Sequence, residues 1–160
     1  MKTLVLISIL FSSIFSFSQN LRTPEEVKYF NKEVIRLLNI ERKKLKLDTL
    51  IESDKLDKTS MEWSSECITK NFYKHSNIEK TRIADAECIN YAFGKSTVDE
   101  NIIYTIESFK GSDVHWSILM DPDIKYIGLG EFYNKTINKY RGTTGPTYHL
   151  SSVITIQLKY

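Results

Sequence analysis

Two histidines and one glutamate stand in short polar elements that follow one another along the chain. His75 lies in an H-S pair, Glu87 in the run A-E-C-I, and His115 at the end of the run F-K-G-S-D-V-H. Two neutral imidazoles suit a divalent metal such as zinc, and a nearby carboxylate suits a metal shell or a general base. The sequence therefore indicates a polar cleft, in which metal binding and acid–base chemistry are both open.

The serines near these histidines do not complete a nucleophilic triad. Ser76 directly follows His75, so their side chains point apart in an extended segment, and the sequence contains no G-x-S-x-G element. Ser112 and His115 are three residues apart and could meet on a helix, but the sequence offers no third group to orient the imidazole. We therefore do not expect a serine hydrolase.

The chain contains two cysteines, Cys67 and Cys88. In an oxidising compartment an isolated pair is most simply a disulfide. Closing a loop of roughly 20 residues would stabilise the fold by about 3 kcal/mol in the chain-entropy account. Two cysteines alone make a poor structural zinc site, since such a site uses four ligands. The sequence favours a Cys67–Cys88 disulfide, with two buried free thiols as the alternative.

Residues 1–19 have the pattern of a cleaved signal peptide. Lys2 gives a basic start, and the apolar stretch 4–17 is shorter than the roughly 20 residues of a spanning helix. No second apolar run follows, so we expect no transmembrane segment, and an uncleaved anchor is the alternative. The mature protein, residues 20–160, is expected to be secreted or periplasmic and to form a single domain and a monomer.

The composition of the mature chain limits its partners. The 22 Lys and Arg residues fall to 21 without Lys2, and 20 Asp and Glu residues balance them. This balance provides no basic face for phosphate contacts, so we expect no nucleic-acid partner. Eight Phe, nine Tyr and two Trp are ample for a packed interior.

Three helices are predicted ahead of the sheet. Thr23 should cap the first, with Pro24 at its first position and Glu26 completing a capping box. A second helix is expected over about 53–72, and a third from Thr97, where Glu100 completes another capping box.

The predicted sheet comes late in the chain. Residues 126–132 and 152–158 read as strands, and the polar segment 134–145 reads as a hairpin connection between them. Helices followed by a late antiparallel sheet indicate an α+β layered domain.

The order of these elements resembles the CAP superfamily, which holds the cysteine-rich secretory proteins, insect venom antigens and plant pathogenesis-related proteins. The chain is most similar to the bacterial SCP-like branch. The family patterns N-x-x-R, H-S, G-E-N-I, W-x-x-S-x-x-H and G-[VL]-G correspond here to residues 39–42, 75–76, 86–89, 109–115 and 128–130. The resemblance spans nearly the whole mature chain. It implies an α-β-α sandwich with a central antiparallel sheet flanked by helices.

This sequence departs from the family patterns at three positions. Ala86 replaces glycine, Cys88 replaces asparagine, and Phe109 replaces tryptophan. A cysteine next to Glu87 suggests that a disulfide fastens the site loop where the family uses an asparagine.

The resemblance also assigns the cleft residues. It places His75, His115 and Glu87 in the cleft, with Glu107 as a less direct match for a second glutamate and Ser112 nearby. His75 and His115 are the expected ligands of a weak divalent-metal site, with zinc as a possible but not essential cofactor. For Glu87 a structural role, receiving N–H bonds that hold the loop, is preferred to a general base.

Three function classes follow from these assignments. The first is a secreted, non-catalytic binding module for a small apolar ligand, such as a lipid or sterol, or for an extracellular protein or peptide. The second is a metal-dependent hydrolase that uses His75, His115 and Glu87. The third is a structural exported domain. Of these, the first is preferred, because the sequence shows neither a third metal ligand nor an activated nucleophile.

Overall fold

The computed structural model describes residues 22–70, 72–93, 97–134 and 151–160. The predicted signal peptide (1–19), most of the predicted hairpin connection and His149 lie outside these residues. In chain order the described elements are α1 (Pro24–Lys44), β1 (Ile51–Glu52), α2 (Asp54–Thr69), α3 (Ile78–Thr81), β2 (Ala86–Phe93), α4 (Val98–Lys110), α5 (Asp113–Leu119), β3 (Tyr126–Asn134) and β4 (Ser151–Lys159).

Both predicted capping boxes are present. At the start of α1 the Glu26 N–H donates to Thr23 Oγ1 at 3.2 Å, and the Thr23 N–H donates to Glu26 Oε2 at 2.8 Å. At the start of α4 Thr97 and Glu100 make the same reciprocal pair, at 3.1 Å in both directions. Each box satisfies backbone donors that the first helical turn leaves without partners, so the sequence fixes where these helices begin.

The four strands form one sheet in the order β1-β3-β4-β2. Strand β4 pairs antiparallel with both β3 and β2, as the late antiparallel sheet predicts. The two-residue strand β1 pairs parallel with β3, so the sheet is mixed at this edge. Because β4 is central, a polar side chain on it lies between the two long strands.

Helices cover both faces of the sheet, which confirms the predicted α-β-α sandwich. Helix α2 packs on one face against β3 and β4, while α1, α4 and α5 pack on the other. Gly128 and Gly130 allow α2 to approach β3 closely. A Cβ built on Gly128 would lie 2.2 Å from Leu56 Cβ, and one built on Gly130 would lie 2.1 Å from the Met61 nitrogen. These two glycines set the distance between the helix and the sheet.

The predicted disulfide is wrong, because Cys67 and Cys88 are both free thiols on opposite faces of the sheet. Cys88 belongs to the main core with α1, α4 and α5. Cys67, on α2, packs with Ile89 and Val153 on the other face. Successive residues of a strand point to opposite faces, so Ile89 faces α2 and its neighbour Cys88 faces away.

The N-x-x-R element at residues 39–42 is structural. Arg42 is fully buried, and its guanidinium donates to four carbonyl oxygens. One belongs to Leu119, the last residue of α5, and the others belong to Asp48, Asp121 and Ile124 in the loops that follow α1 and α5. Asn39 makes a reciprocal pair with the backbone of Leu50, at 2.7 and 3.1 Å. Asn39 and Arg42 thus fasten these loops to α1. The N-x-x-R element holds the fold together and does not line the cleft at His75.

None of the described helices combines the length and apolar character needed to cross a bilayer.

Candidate functional site

The site is built where β2, β4 and the loop after α2 meet. Glu87 on β2 is paired directly with Gln157 on β4, so their side chains lie side by side on the face that α2 covers. The loop from the end of α2 brings His75 and Ser76 over this pair. Trp63 on α2 fixes the loop, because its indole N–H donates to the Lys74 carbonyl at 3.0 Å.

The carboxylate of Glu87 is buried and accepts four hydrogen bonds. Its Oε1 receives His75 Nδ1 at 3.0 Å and the Ser76 backbone N–H at 2.8 Å. Its Oε2 receives Gln157 Nε2 at 3.1 Å and the Ser76 hydroxyl. The Glu87 side chain is only 2% exposed, so these donors replace water around the charge. With both oxygens occupied, Glu87 acts as an anchor for the His75–Ser76 loop.

The contact with Glu87 determines which nitrogen of His75 is available. An ionised carboxylate only accepts hydrogen bonds, so Nδ1 carries the proton that it donates to Glu87. The neutral imidazole then has its lone pair on Nε2. The His75 side chain is 58% exposed, which leaves the ring accessible from solvent. A carboxylate behind a histidine in this way is the usual outer-shell support of a metal-binding imidazole.

His115 lies on α5, near His75. Burial lowers the pKa of His115, and the charge on His75 lowers it further, which places the two rings within electrostatic reach. Its ring stands edge-on to Phe109, with the ring centroids 5.5 Å apart. Burial and the charge on His75 both favour the neutral imidazole of His115, which is the form that binds a metal.

Glu107 and Ser112 do not join the hydrogen-bond network of Glu87. Glu107 is exposed on the last turns of α4. Ser112 precedes α5, and its side chain caps no backbone group there. No hydrogen bond links Ser112 to the His115 ring within the described residues, so the pair has no nucleophile–base geometry.

An open cleft of about 450 Å³ lies beside His75. Its lining is largely polar. It comes from Trp63 on α2, from Lys74, His75, Ser76 and Asn77 in the loop after α2, and from Ile78 and Glu79 at the start of α3. His115 is not among these residues. The cleft therefore offers a ligand one aromatic side chain, Trp63, together with charged and amide groups.

Two imidazoles could supply part of the shell of a metal ion here. His75 Nε2 and the neutral ring of His115 are the suitable nitrogens, and Glu87 is engaged by its four donors. Within residues 22–70, 72–93, 97–134 and 151–160, no group of three or more His, Cys, Asp or Glu side chains is arranged to hold a metal ion. Two ligands without a third imply modest affinity.

Sequence reasoning missed Gln157 and Thr59. Gln157 Oε1 accepts the Thr59 hydroxyl at 2.6 Å, and this fixes the amide so that Nε2 points to Glu87. One signal was available: Gln157 is a large amide in the mainly apolar run 153–158, and a polar residue in a buried strand needs a partner.

Known structures share this arrangement of helices and sheet, although no protein-family model and no curated protein matches the sequence. An outer surface protein from Borrelia burgdorferi is similar over 88% of this chain and 96% of its own, with 20% identity and a TM-score of 0.55. An extracellular protein containing an SCP domain from Bacillus anthracis is similar over 83% of this chain, with 14% identity and a TM-score of 0.54. This chain spans 43% of that protein. MpPR-1i is similar over 86% of this chain and 89% of its own, with 15% identity and a TM-score of 0.53.

Proposed function

Because the chain has the fold of the CAP superfamily, we propose that it is an exported binding module without catalytic activity. Its binding surface is the cleft at His75, and a weak divalent-metal site at His75 and His115 contributes to binding. Export is supported by the signal-peptide pattern of residues 1–19. Two of the similar structures are of an outer surface protein and an extracellular protein, which agrees with export.

The observation that carries this proposal is the saturated carboxylate of Glu87. A general base must reach a water or substrate proton at about 2.6–3.2 Å. Both oxygens of Glu87 already accept two donors each, and the side chain is 2% exposed. Freeing an oxygen would leave buried donors without a partner, which costs about 1–3 kcal/mol for each. Glu87 is therefore suited to hold His75 and not to activate water.

A divalent metal such as zinc would be held by His75 Nε2 and by the His115 ring. Once bound, such a metal supplies an electrophilic centre for an oxygen or nitrogen atom of a ligand. Glu87 keeps His75 in the tautomer that leaves Nε2 without a proton. The lowered pKa of His115 keeps its ring neutral at physiological pH.

The cleft favours a peptide or protein partner over a lipid or sterol. Its lining carries Lys74, Asn77 and Glu79 beside Trp63. Apolar ligands select sites lined mainly by hydrophobic side chains with few polar groups. A peptide can use the charged and amide groups for hydrogen bonds and the aromatic edge for an apolar side chain.

Zinc titration calorimetry at pH 7.5 tests the metal site. The parent protein is expected to bind one zinc ion weakly, and His75→Ala and His115→Ala are each expected to abolish the heat. His149→Ala is the matched control, because it also removes one imidazole, and it should bind as the parent does. Equal heats for the parent and both cleft variants would show that the two histidines form no site.

A substrate panel tests the absence of catalysis. Purified protein, with and without zinc, is incubated with peptide, ester and glycan substrates beside the Glu87→Gln variant. We expect no turnover above the rate without protein. Turnover that Glu87→Gln loses would reject the binding-module proposal in favour of a metal-dependent hydrolase.

A further inference from the structure

A second cleft, separate from the one at His75, lies between α1 and the start of α2. It opens beside the edge of β3 and encloses about 480 Å³. The two clefts share none of their lining residues. A cleft of this size accommodates a small molecule, since ligand sites span roughly 300–1,000 Å³.

The walls of this second cleft carry opposite charges. Lys28 and Lys32 line one wall, one helical turn apart on α1, so they face the same way. Glu52, Asp54 and Asp57 line the other wall. None of the ion pairs among the described residues joins the two walls. Arg22 also lines the cleft, but it pairs with Glu131. Within the acidic wall Asp57 hydrogen-bonds the Glu52 side chain. Neither wall is paired with the other, so a molecule that carries both signs could contact both.

Two residues that line the cleft, Asp57 and Asn31, contact the edge of β3 at the backbone of Leu129. Its N–H donates to Asp57 Oδ1 at 2.7 Å, and its carbonyl accepts Asn31 Nδ2 at 3.0 Å. The two side chains thus cover the edge that β1 leaves unpaired beyond Ile127, and they block strand addition there.

Asn31 also points to a ligand that donates hydrogen bonds. It is only 6% exposed and lines the cleft, and its Oδ1 has no hydrogen-bond partner in the described part of the chain. A buried acceptor without a donor is costly, and such groups in folded proteins are normally satisfied. A donor arriving in the cleft would remove this cost.

The acidic wall is arranged for a positive charge. Burial raises the pKa of Asp57, the Leu129 hydrogen bond lowers it, and the charges of Glu52 and Asp54 raise it, with a net value of about 6. A neighbouring cation would offset the burial and the repulsion together. A primary ammonium has three N–H donors, which suits the acceptors on Asp57, Glu52 and Asn31. A metal ion is less suited, since the described residues contain no group of three metal-ligating side chains.

We propose that this cleft binds a small zwitterion, namely a free amino acid or a short peptide. Its ammonium lies at Asp57, Glu52 and Asn31, and its carboxylate lies at Lys28 and Lys32. The proposal is independent of the His75 site, because the two clefts share no residue.

The probe for this site is the dipeptide alanyl-alanine, followed by calorimetry and by the amide NMR signal of Leu129. The parent protein is expected to bind it, with a shift of the Leu129 signal. N-acetyl-alanyl-alanine lacks the ammonium and alanyl-alanine amide lacks the carboxylate, so each should bind at least about tenfold more weakly, which corresponds to about 1.4 kcal/mol.

Asp57→Asn tests the acidic wall, because its amide oxygen still accepts the Leu129 N–H while the charge is lost. It should bind the dipeptide at least about tenfold more weakly. Asp123→Asn, the same change at an exposed residue that lines neither cleft, should bind as the parent does. Lys32→Gln, on the exposed face of α1, tests the basic wall, with the same expected loss.

Three results would overturn the proposal. One is the absence of heat and of any Leu129 shift at about 10 mM dipeptide. Another is equal binding of alanyl-alanine and its acetylated form. The third is a Leu129 shift with calcium chloride alone and none with the dipeptide, which would identify a metal site.

Discussion

Gln157 on β4 donates a hydrogen bond to Glu87 on β2 across directly paired positions, with Nε2 and Oε2 3.1 Å apart. The Thr59 hydroxyl on α2 occupies the amide oxygen of Gln157 at 2.6 Å, so the amide has one orientation. A chain of hydrogen bonds therefore runs from α2 through the sheet to Glu87 and His75. It connects the packing of the helical layer to the position of the imidazole.

Replacing Gln157 by leucine should weaken this support without touching the histidines. The change leaves one oxygen of a buried carboxylate with fewer donors, so the free energy of unfolding should fall by about 1–3 kcal/mol. Zinc affinity should fall by about tenfold, since outer-shell partners typically contribute that much. Urea unfolding and zinc calorimetry measure the two effects. Unchanged zinc affinity in a folded Leu variant would mean that the amide does not support His75.

Replacing Gly130 by alanine should severely destabilise the fold. The new Cβ would lie 2.1 Å from the Met61 backbone nitrogen, and a helix backbone cannot move aside as a flexible side chain can. We expect a loss of at least about 3 kcal/mol in urea unfolding. Gly111→Ala is the control, because its Cβ would be 3.4 Å from the nearest atom, the Glu107 carbonyl oxygen. Equal stabilities for the two variants would contradict the proposed contact between α2 and β3.

Replacing Asp57 by asparagine should stabilise the protein at neutral pH and not in acid. The folded pKa of Asp57 is about 6, above its ordinary value of 3.8. The folded state thus holds this proton more tightly, and the contribution of Asp57 to stability is complete below about pH 3.8 and is lost as the pH rises through 6. Asparagine is neutral at every pH, so the variant should melt higher than the parent at pH 7.5 and equally at pH 3.5. A higher melting temperature of the parent at pH 7.5 would contradict the assigned pKa.

The two cysteines should behave as buried thiols. Burial raises the pKa of Cys88 to about 12 and also raises that of Cys67. Iodoacetamide reacts with thiolates, so the native protein should resist labelling. Protein unfolded without reductant should take up two labels, one for each cysteine, and reductant should not change the melting temperature. If the unreduced, unfolded chain took up no label, Cys67 and Cys88 would be joined by a disulfide, which would contradict the structure.

The helix starts and the layered architecture could be predicted from the sequence. Thr23 and Thr97 carry their capping partners three residues later, and that signal is local. Strand β2 was not predicted, because its inner positions include the buried polar residues Glu87 and Asn90, which break the apolar alternation of an ordinary strand.

The cleft was only partly predictable for a related reason. The family resemblance implied that His75 and Glu87 share a cleft, and in the structure the two side chains are hydrogen-bonded. The role of Gln157 could not be predicted, because it depends on the register between β2 and β4, which are far apart in sequence. The disulfide prediction failed on the same ground: an isolated pair of cysteines does not reveal on which face of the sheet each side chain lies.

The central claim is that Glu87 holds His75 so that Nε2 is the atom that binds. Long-range proton–nitrogen NMR correlation of the His75 ring, at pH 8 with and without zinc, tests it most directly. The account predicts a proton on Nδ1 and a lone pair on Nε2 without metal, and a zinc-dependent change of the Nε2 signal. In Glu87→Gln the preference for one tautomer should weaken. A proton on Nε2 in the parent, or a His75 spectrum unaffected by zinc, would contradict the account.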